Sequence, residues 1–164
     1  MKQSLYLETT IPSYLAARMN SNIVVAGKQI ITQEFWEEER HKYDLVASVF
    51  VYDECRRGDA IVAKRRLELL KDVVILRNTP DIEPLADVYM RLLSIPQSKR
   101  IDALHLAMCC VHDINILLSW NCRHLGTDSM LLVKKHNDAH GLPTPQMITP
   151  DAIVNKYWEV DPDE

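Results

Sequence analysis

The sequence predicts an α/β fold, a parallel sheet covered by helices on both faces. Three observations predict it. Short apolar runs alternate with longer segments of helical period from end to end. Neither an internal repeat nor a low-complexity linker breaks that alternation. The 164 residues, 47% of them hydrophobic, suffice for one domain with a real core.

The elements follow in order. Ser4 to Leu7 reads as the first strand, and IPSYLAARM as a helix with Pro12 tolerated in its first turn. From Ile23 to Tyr43 the pattern is again helical, with Ile23, Ala26 and Ile30 recurring at spacings of three and four. The run EFWEEERHK fits a solvated face with Phe35 and Trp36 turned inward; the same two aromatics also suit a dimer or partner contact. DLVASV, residues 44 to 49, is the second strand. VYDECRR is a short helix closed by Gly58, and Asp59 caps the next, whose inward stripe is Ala60, Ala63, Leu67 and Leu70.

VVIL, residues 73 to 76, is the third strand. Asp81 to Leu93 is an amphipathic helix with Leu85, Val88, Tyr89 and Leu92 on one face. Ser98 to His112 is apolar almost all round, as in a helix buried on most sides. INILLS, residues 114 to 119, is the fourth strand; a helix runs from Thr127 to Ala139 and ends at Gly141. QMIT, residues 146 to 149, is a last short strand, and Pro150 and Asp151 open a terminal helix. Residues 1–154 form the domain, and 155–164 are a polar, acidic tail.

A net charge of -4 and a pI near 5.9 give no global attraction to nucleic acid or an anionic membrane, so any basic contact surface is local. No apolar run reaches the length of a spanning helix, and MKQSLYLETT is unlike a secretory signal, so a cytoplasmic protein is expected. Cys55, Cys109, Cys110 and Cys122 form no CxxC pair and read as reduced, small apolar residues.

In parallel sheets, sites form beyond the carboxyl ends of the strands. Glu8 follows the first strand, and Glu54 lies on the helix after the second. Asp102 opens the apolar helix that leads into the fourth strand, and Asn121 follows that strand. Close carboxylates repel, and a divalent cation removes the repulsion. Mg²⁺ and Mn²⁺ take oxygen ligands, keep several waters and need few carboxylates, which suits phosphodiester chemistry. The chain holds no GxxxxGK[ST], GxGxxG or GxSxG motif. A hydrolase with an aspartate nucleophile after the first strand finds none in Glu8-Thr9-Thr10.

Each residue taken alone has a plainer role: Glu8 as a helix cap, Glu54 as a surface partner of Arg57, Asn121 as a turn residue. Asp102, inside IDALHLAM, is the hardest to explain without a cation or partner. Thr9 or Thr10 suits orienting Glu8. Lys99, Arg100, Arg123 and His124 suit phosphate contacts, with a solvated helix start as the alternative for Lys99 and Arg100. His105 shares the Asp102 face and is expected to pack in the core. His136 and His140 suit an exposed helix rather than a zinc site.

YLETTIPSYL, DECRRGD, DALHLA and LLSWNCRHL resemble the PIN-domain family, and within it the bacterial domains related to VapC-type toxins. The resemblance runs from the first strand to about Thr149, with DALHLA followed by a strand and LLSWN its most specific part. It implies a PIN-like three-layer α/β/α sandwich around a mostly parallel sheet of four to five strands. It also implies Mg²⁺- or Mn²⁺-dependent cleavage of single-stranded RNA, with a protein antitoxin as partner; a homodimer is the expected assembly. By position, Glu8, Glu54 and Asp102 match the family's acids, Asn121 stands where a further acid is usual, and Ser119 matches a small hydroxyl residue. Two departures matter: the first acid is usually Asp, and Asn121 carries no charge. A non-catalytic PIN-like module that binds RNA or protein is the second expectation.

Overall fold

The computed structural model describes residues 1–154; the acidic tail at 155–164 lies outside the described residues. The elements are β1 (Ser4–Leu7), α1 (Thr10–Ala16), α2 (Ile23–Glu34), β2 (Asp44–Ser48), α3 (Val49–Cys55), α4 (Ala60–Leu69) and β3 (Val74–Leu76). They continue with α5 (Ile82–Leu92), α6 (Arg100–Val111), β4 (Ile116–Leu118), α7 (Thr127–Ala139), β5 (Gln146–Ile148) and α8 (Pro150–Ile153).

All strand pairings are parallel, in the order β3-β2-β1-β4-β5. β1 is central, with Leu5, Tyr6 and Leu7 fully buried, which explains a run without alternation. The chain winds outward from β1 through β2 to β3, then crosses back to lay β4 on the other side of β1. The strand order therefore reverses between β1 and β4, where a crevice opens at the carboxyl ends. Leu7 pairs with Leu118, and the ladder continues one step, Glu8 N–H donating to Leu118 O at 3.1 Å. That step sets Glu8 beside Ser119.

α6 is buried from Asp102 through Cys110, as its apolar circumference predicts, and α5 packs along it through Ile82, Ala86 and Tyr89. Asp59 caps α4, its carboxylate accepting from Ile61 N–H and Val62 N–H. Gly58 closes the preceding turn at φ +84°, a conformation costly for any residue with a Cβ. Cys55, Cys109 and Cys110 are buried free thiols, whereas Cys122 is exposed.

Three expectations are corrected. The helix from Ile23 does not run to Tyr43: it ends at Glu34, widens into a π turn over Phe35–Glu39 and tightens into a 3-10 turn over Arg40–Lys42. Its Ile23 and Ile30 face solvent, and the packed side is instead Gln29 and Thr32, whose polar groups bond to backbone. Ala60 lies outside the α4 stripe, and is exposed because the cap turns the first residue away. Phe35 is fully buried, as the inward-turned reading expects, and so offers no contact surface. Among the described residues, no helix is long and apolar enough to cross a membrane.

Candidate functional site

A cleft of about 290 Å³ opens where β1 and β4 diverge, and Glu8, Glu54, Lys99, Asp102 and Asn121 all line it. Residues from the segment after β1, from α3, from α6 and the turn before it, and from the segment after β4, far apart in sequence, thus share one wall. A larger cavity of 560 Å³ between α7 and β5 is mainly apolar, around the Lys134–Asp138 ion pair, and holds none of these acids.

Glu8 is buried, and its Oε2 accepts three hydrogen bonds: Thr10 N–H at 3.0 Å, Thr10 Oγ1–H at 2.5 Å and Ser119 Oγ–H at 2.7 Å. Thr9 is the cap residue of α1, and Glu8 just before it satisfies the N–H of Thr10, the first helical residue, while lining the cleft. The loop after β4 is pinned to the same group. Trp120 N–H donates to Thr10 Oγ1 at 3.0 Å, and Asn121 N–H to Ser119 Oγ at 2.8 Å.

Glu54 Oε1 accepts from Thr9 Oγ1–H at 2.6 Å and from His105 Nε2 at 3.0 Å. Of the two adjacent threonines, Thr10 therefore serves Glu8 and Thr9 serves Glu54. Burial pushes the Glu54 carboxyl up, but the His105 hydrogen bond, with Thr9 and Arg57, outweighs it and holds it below its usual value.

Asp102 is set the other way. Burial raises its carboxyl; His105, His124 and Lys99 counter this, Glu8 adds to it, and the balance stays upward. Its Oδ1 accepts from Asn121 Nδ2 at 3.1 Å. Its Oδ2 is buried and, among the described residues, has no hydrogen-bond partner. An unpartnered buried carboxylate oxygen is costly and wants a cation or a proton.

The basic residues separate. Lys99 reaches the cleft. Arg100 turns to α5 instead, pairing with Asp87 at 3.1 Å and Glu83 at 3.7 Å. Arg123 is exposed, and His124 is half-buried and close enough to act on Asp102. His136 and His140 stack on α7 with ring centroids 4.2 Å apart, away from the cleft.

Sequence reasoning missed the hydrogen bonds that His105 and Tyr6 make. His105 does lie in the core, 1% exposed, yet both ring nitrogens are engaged: Nε2 with Glu54 and Nδ1 with Tyr6 Oη at 2.7 Å. The available signal was its i+3 spacing from Asp102 on a helix otherwise apolar there. Burial, with the charges of Cys109, Glu8 and Glu54 and against the Ser48 hydrogen bond, holds the Tyr6 phenol well above its ordinary range.

Among the described residues, no three His, Cys, Asp or Glu side chains converge closely enough to hold a metal ion by themselves. The donor chemistry nevertheless fits a hard cation. The cleft presents carboxylate oxygens, one of them orphaned, and Mg²⁺ or Mn²⁺ binds through one or two carboxylates with water completing its shell.

No family model matches the chain, and no curated protein does. Among solved structures, it is similar to a chain in the crystal structure of VapBC2 from Rickettsia felis bound to a DNA fragment from their promoter. The two chains share 11% identity at a TM-score of 0.54, covering 90% of this chain and 98% of that one. At that identity the likeness speaks for the fold: a five-stranded parallel sheet between helices, the three-layer α/β/α arrangement of PIN-like domains.

Proposed function

We propose that this chain is a metal-dependent endoribonuclease that cleaves single-stranded RNA in the β1–β4 cleft. The observation that carries this reading is the gathering of Glu8, Glu54, Asp102 and Asn121 from four separate segments into one cleft at the point of strand reversal. Glu8, Glu54 and Asp102 would together hold one Mg²⁺ or Mn²⁺, one or two of them directly and the rest through its waters. When bound, the ion supplies a Lewis acid that neutralises the acids and the phosphate and lowers the pKa of water.

The other roles belong to the chain. Thr9, Thr10 and Ser119 keep Glu54 and Glu8 in place by donating to one oxygen of each. Lys99 at the cleft wall takes a phosphate oxygen, with Arg123 and His124 beyond it and Arg100 held back by its α5 partners. Asn121 holds Asp102 Oδ1, which leaves the unpartnered Oδ2 to face the ion.

The VapBC2 neighbour supports a toxin-type role with a protein antitoxin as partner, and we place the protein in the cytoplasm as a homodimer on the same reading. The second reading is a non-catalytic RNA- or protein-binding module. It is favoured by the lack of three converging ligands among the described residues and by Asn121 in place of an acid.

Labelled RNA incubated with the protein and Mn²⁺, beside Asp102→Asn, tests the first reading. Cleavage by the parent protein alone supports it; equal cleavage by both, or none by either across several RNAs, sinks it. Calorimetry then tests the second, which predicts no heat of Mn²⁺ binding at millimolar metal.

A further inference from the structure

We propose that His105 and Tyr6 are positioning residues: a directional hydrogen-bond chain from the N-terminus of α3, through β1 and α6, holds the Glu54 carboxylate at the cleft wall. This deepens the nuclease reading and rests on it for its effect on cleavage, though not for its geometry.

The direction of the chain follows from counting protons. Val51 N–H donates to Ser48 Oγ at 3.3 Å, as the cap of α3. Ser48 Oγ lies 2.7 Å from Tyr6 Oη, Tyr6 Oη 2.7 Å from His105 Nδ1, and His105 Nε2 3.0 Å from Glu54 Oε1. A carboxylate oxygen accepts, so Nε2 carries the ring proton. Nδ1 then accepts from Tyr6 O–H, and Tyr6 Oη accepts from Ser48 O–H. Every proton has one acceptor. The opposite order needs protons on both ring nitrogens and leaves the buried Ser48 hydroxyl with nothing to donate to among the described residues.

The chain begins at the first turn of α3 and returns to its last, where Glu54 sits one residue before the helix ends. It grips both ends of the helix through two fully buried partners, Tyr6 on the central strand and His105 on the buried helix. A glutamate on a seven-residue surface helix has several rotamers of similar energy. Two donors on a single oxygen, Thr9 and His105, choose one of them and leave Oε2 without a hydrogen-bond donor among the described residues, open to a ligand.

Two substitutions separate positioning from core filling. His105→Gln keeps an amide N–H able to reach Glu54, whereas His105→Asn keeps only a group able to reach Tyr6. If His105 positions Glu54, His105→Asn lowers kcat for Mn²⁺-dependent cleavage about 10- to 100-fold with KM nearly constant, and His105→Gln restores most of it. Equal losses in both variants, or none in either, overturn the role. Where His105→Asn does not fold, Tyr6→Phe replaces it, with a lowered kcat expected and an unchanged one counting against the role.

Readouts without RNA decide the geometry separately. Imidazole ¹⁵N NMR should place the His105 proton on Nε2 with Nδ1 as acceptor, and a proton on Nδ1 would overturn the chain. Crystal structures should show Glu54 in place in His105→Gln and swung away in His105→Asn; Glu54 unmoved in both would do the same. A parent protein that passes these but cuts no RNA would fail the nuclease reading while leaving the positioning intact.

Discussion

Ser119 Oγ donates to Glu8 Oε2 across 2.7 Å and a sequence separation of 111 residues. The same oxygen accepts Asn121 N–H at 2.8 Å, so one hydroxyl sets both an acid after β1 and the amide after β4.

Ser119→Ala should therefore loosen both. The expected loss is about 1–2 kcal/mol of stability by urea unfolding, because a buried carboxylate oxygen loses a donor. Mn²⁺-dependent cleavage should fall by about tenfold, measured on the same RNA as the parent.

Asp102→Asn should stabilise the metal-free protein at neutral pH while abolishing cleavage. Burial raises the folded-state pKa of Asp102, so its contribution is favourable below the unfolded value near ~3.9 and is lost as pH rises through the folded value. The variant's advantage should be about 1 kcal/mol at pH 7.5 and vanish near pH 3, read from unfolding curves at both.

Glu54→Gln should show the opposite pH dependence. The lowered folded-state pKa gives stability that is present above the unfolded value near ~4.3 and disappears as pH falls through the folded value. The variant should cost about 1 kcal/mol at pH 7 and nothing at the lowest pH where the protein stays folded.

Asn121→Asp tests the missing charge. It takes the carboxylate charge of the site from that of Glu8, Glu54 and Asp102 to one more. Mn²⁺ should bind about tenfold tighter by calorimetry, since ligand charge sets affinity for hard cations. The metal-free variant should melt lower, because the amide hydrogen bond to Asp102 becomes a repulsion.

Gly58→Ala isolates a backbone effect. At φ +84° a Cβ meets only Arg66 Nη2 at 3.7 Å, ordinary contact, so the cost is conformational and about 1 kcal/mol in thermal unfolding.

Much was legible in the chain itself. Strand and helix periods marked the order of elements, and the apolar circumference of α6 announced a buried helix, because periodicity reports which sides of an element meet other protein. The placing of acids just past strand ends suggested a shared site, since parallel sheets put all carboxyl ends on one edge. Asp59 read as a cap because a cap is a contact over two or three residues.

What the sequence left open were choices made across long separations. Period alone did not say that Ile23 and Ile30 face solvent, since a stripe is apolar whether or not a partner covers it. Adjacent Thr9 and Thr10 serve different acids because consecutive side chains diverge as β1 passes into α1, and only the packed positions of α3 and β4 decide which acid each meets. His105 looked like core, and is core; its hydrogen bonds to Glu54 and Tyr6 bridge 51 and 99 residues, a distance closed only by the sheet order and the burial of α6 against it. The residue types and their local spacing belong to the sequence; the partner of each polar atom belongs to the tertiary structure, because a hydrogen bond is settled by tenths of an ångström that no spacing encodes.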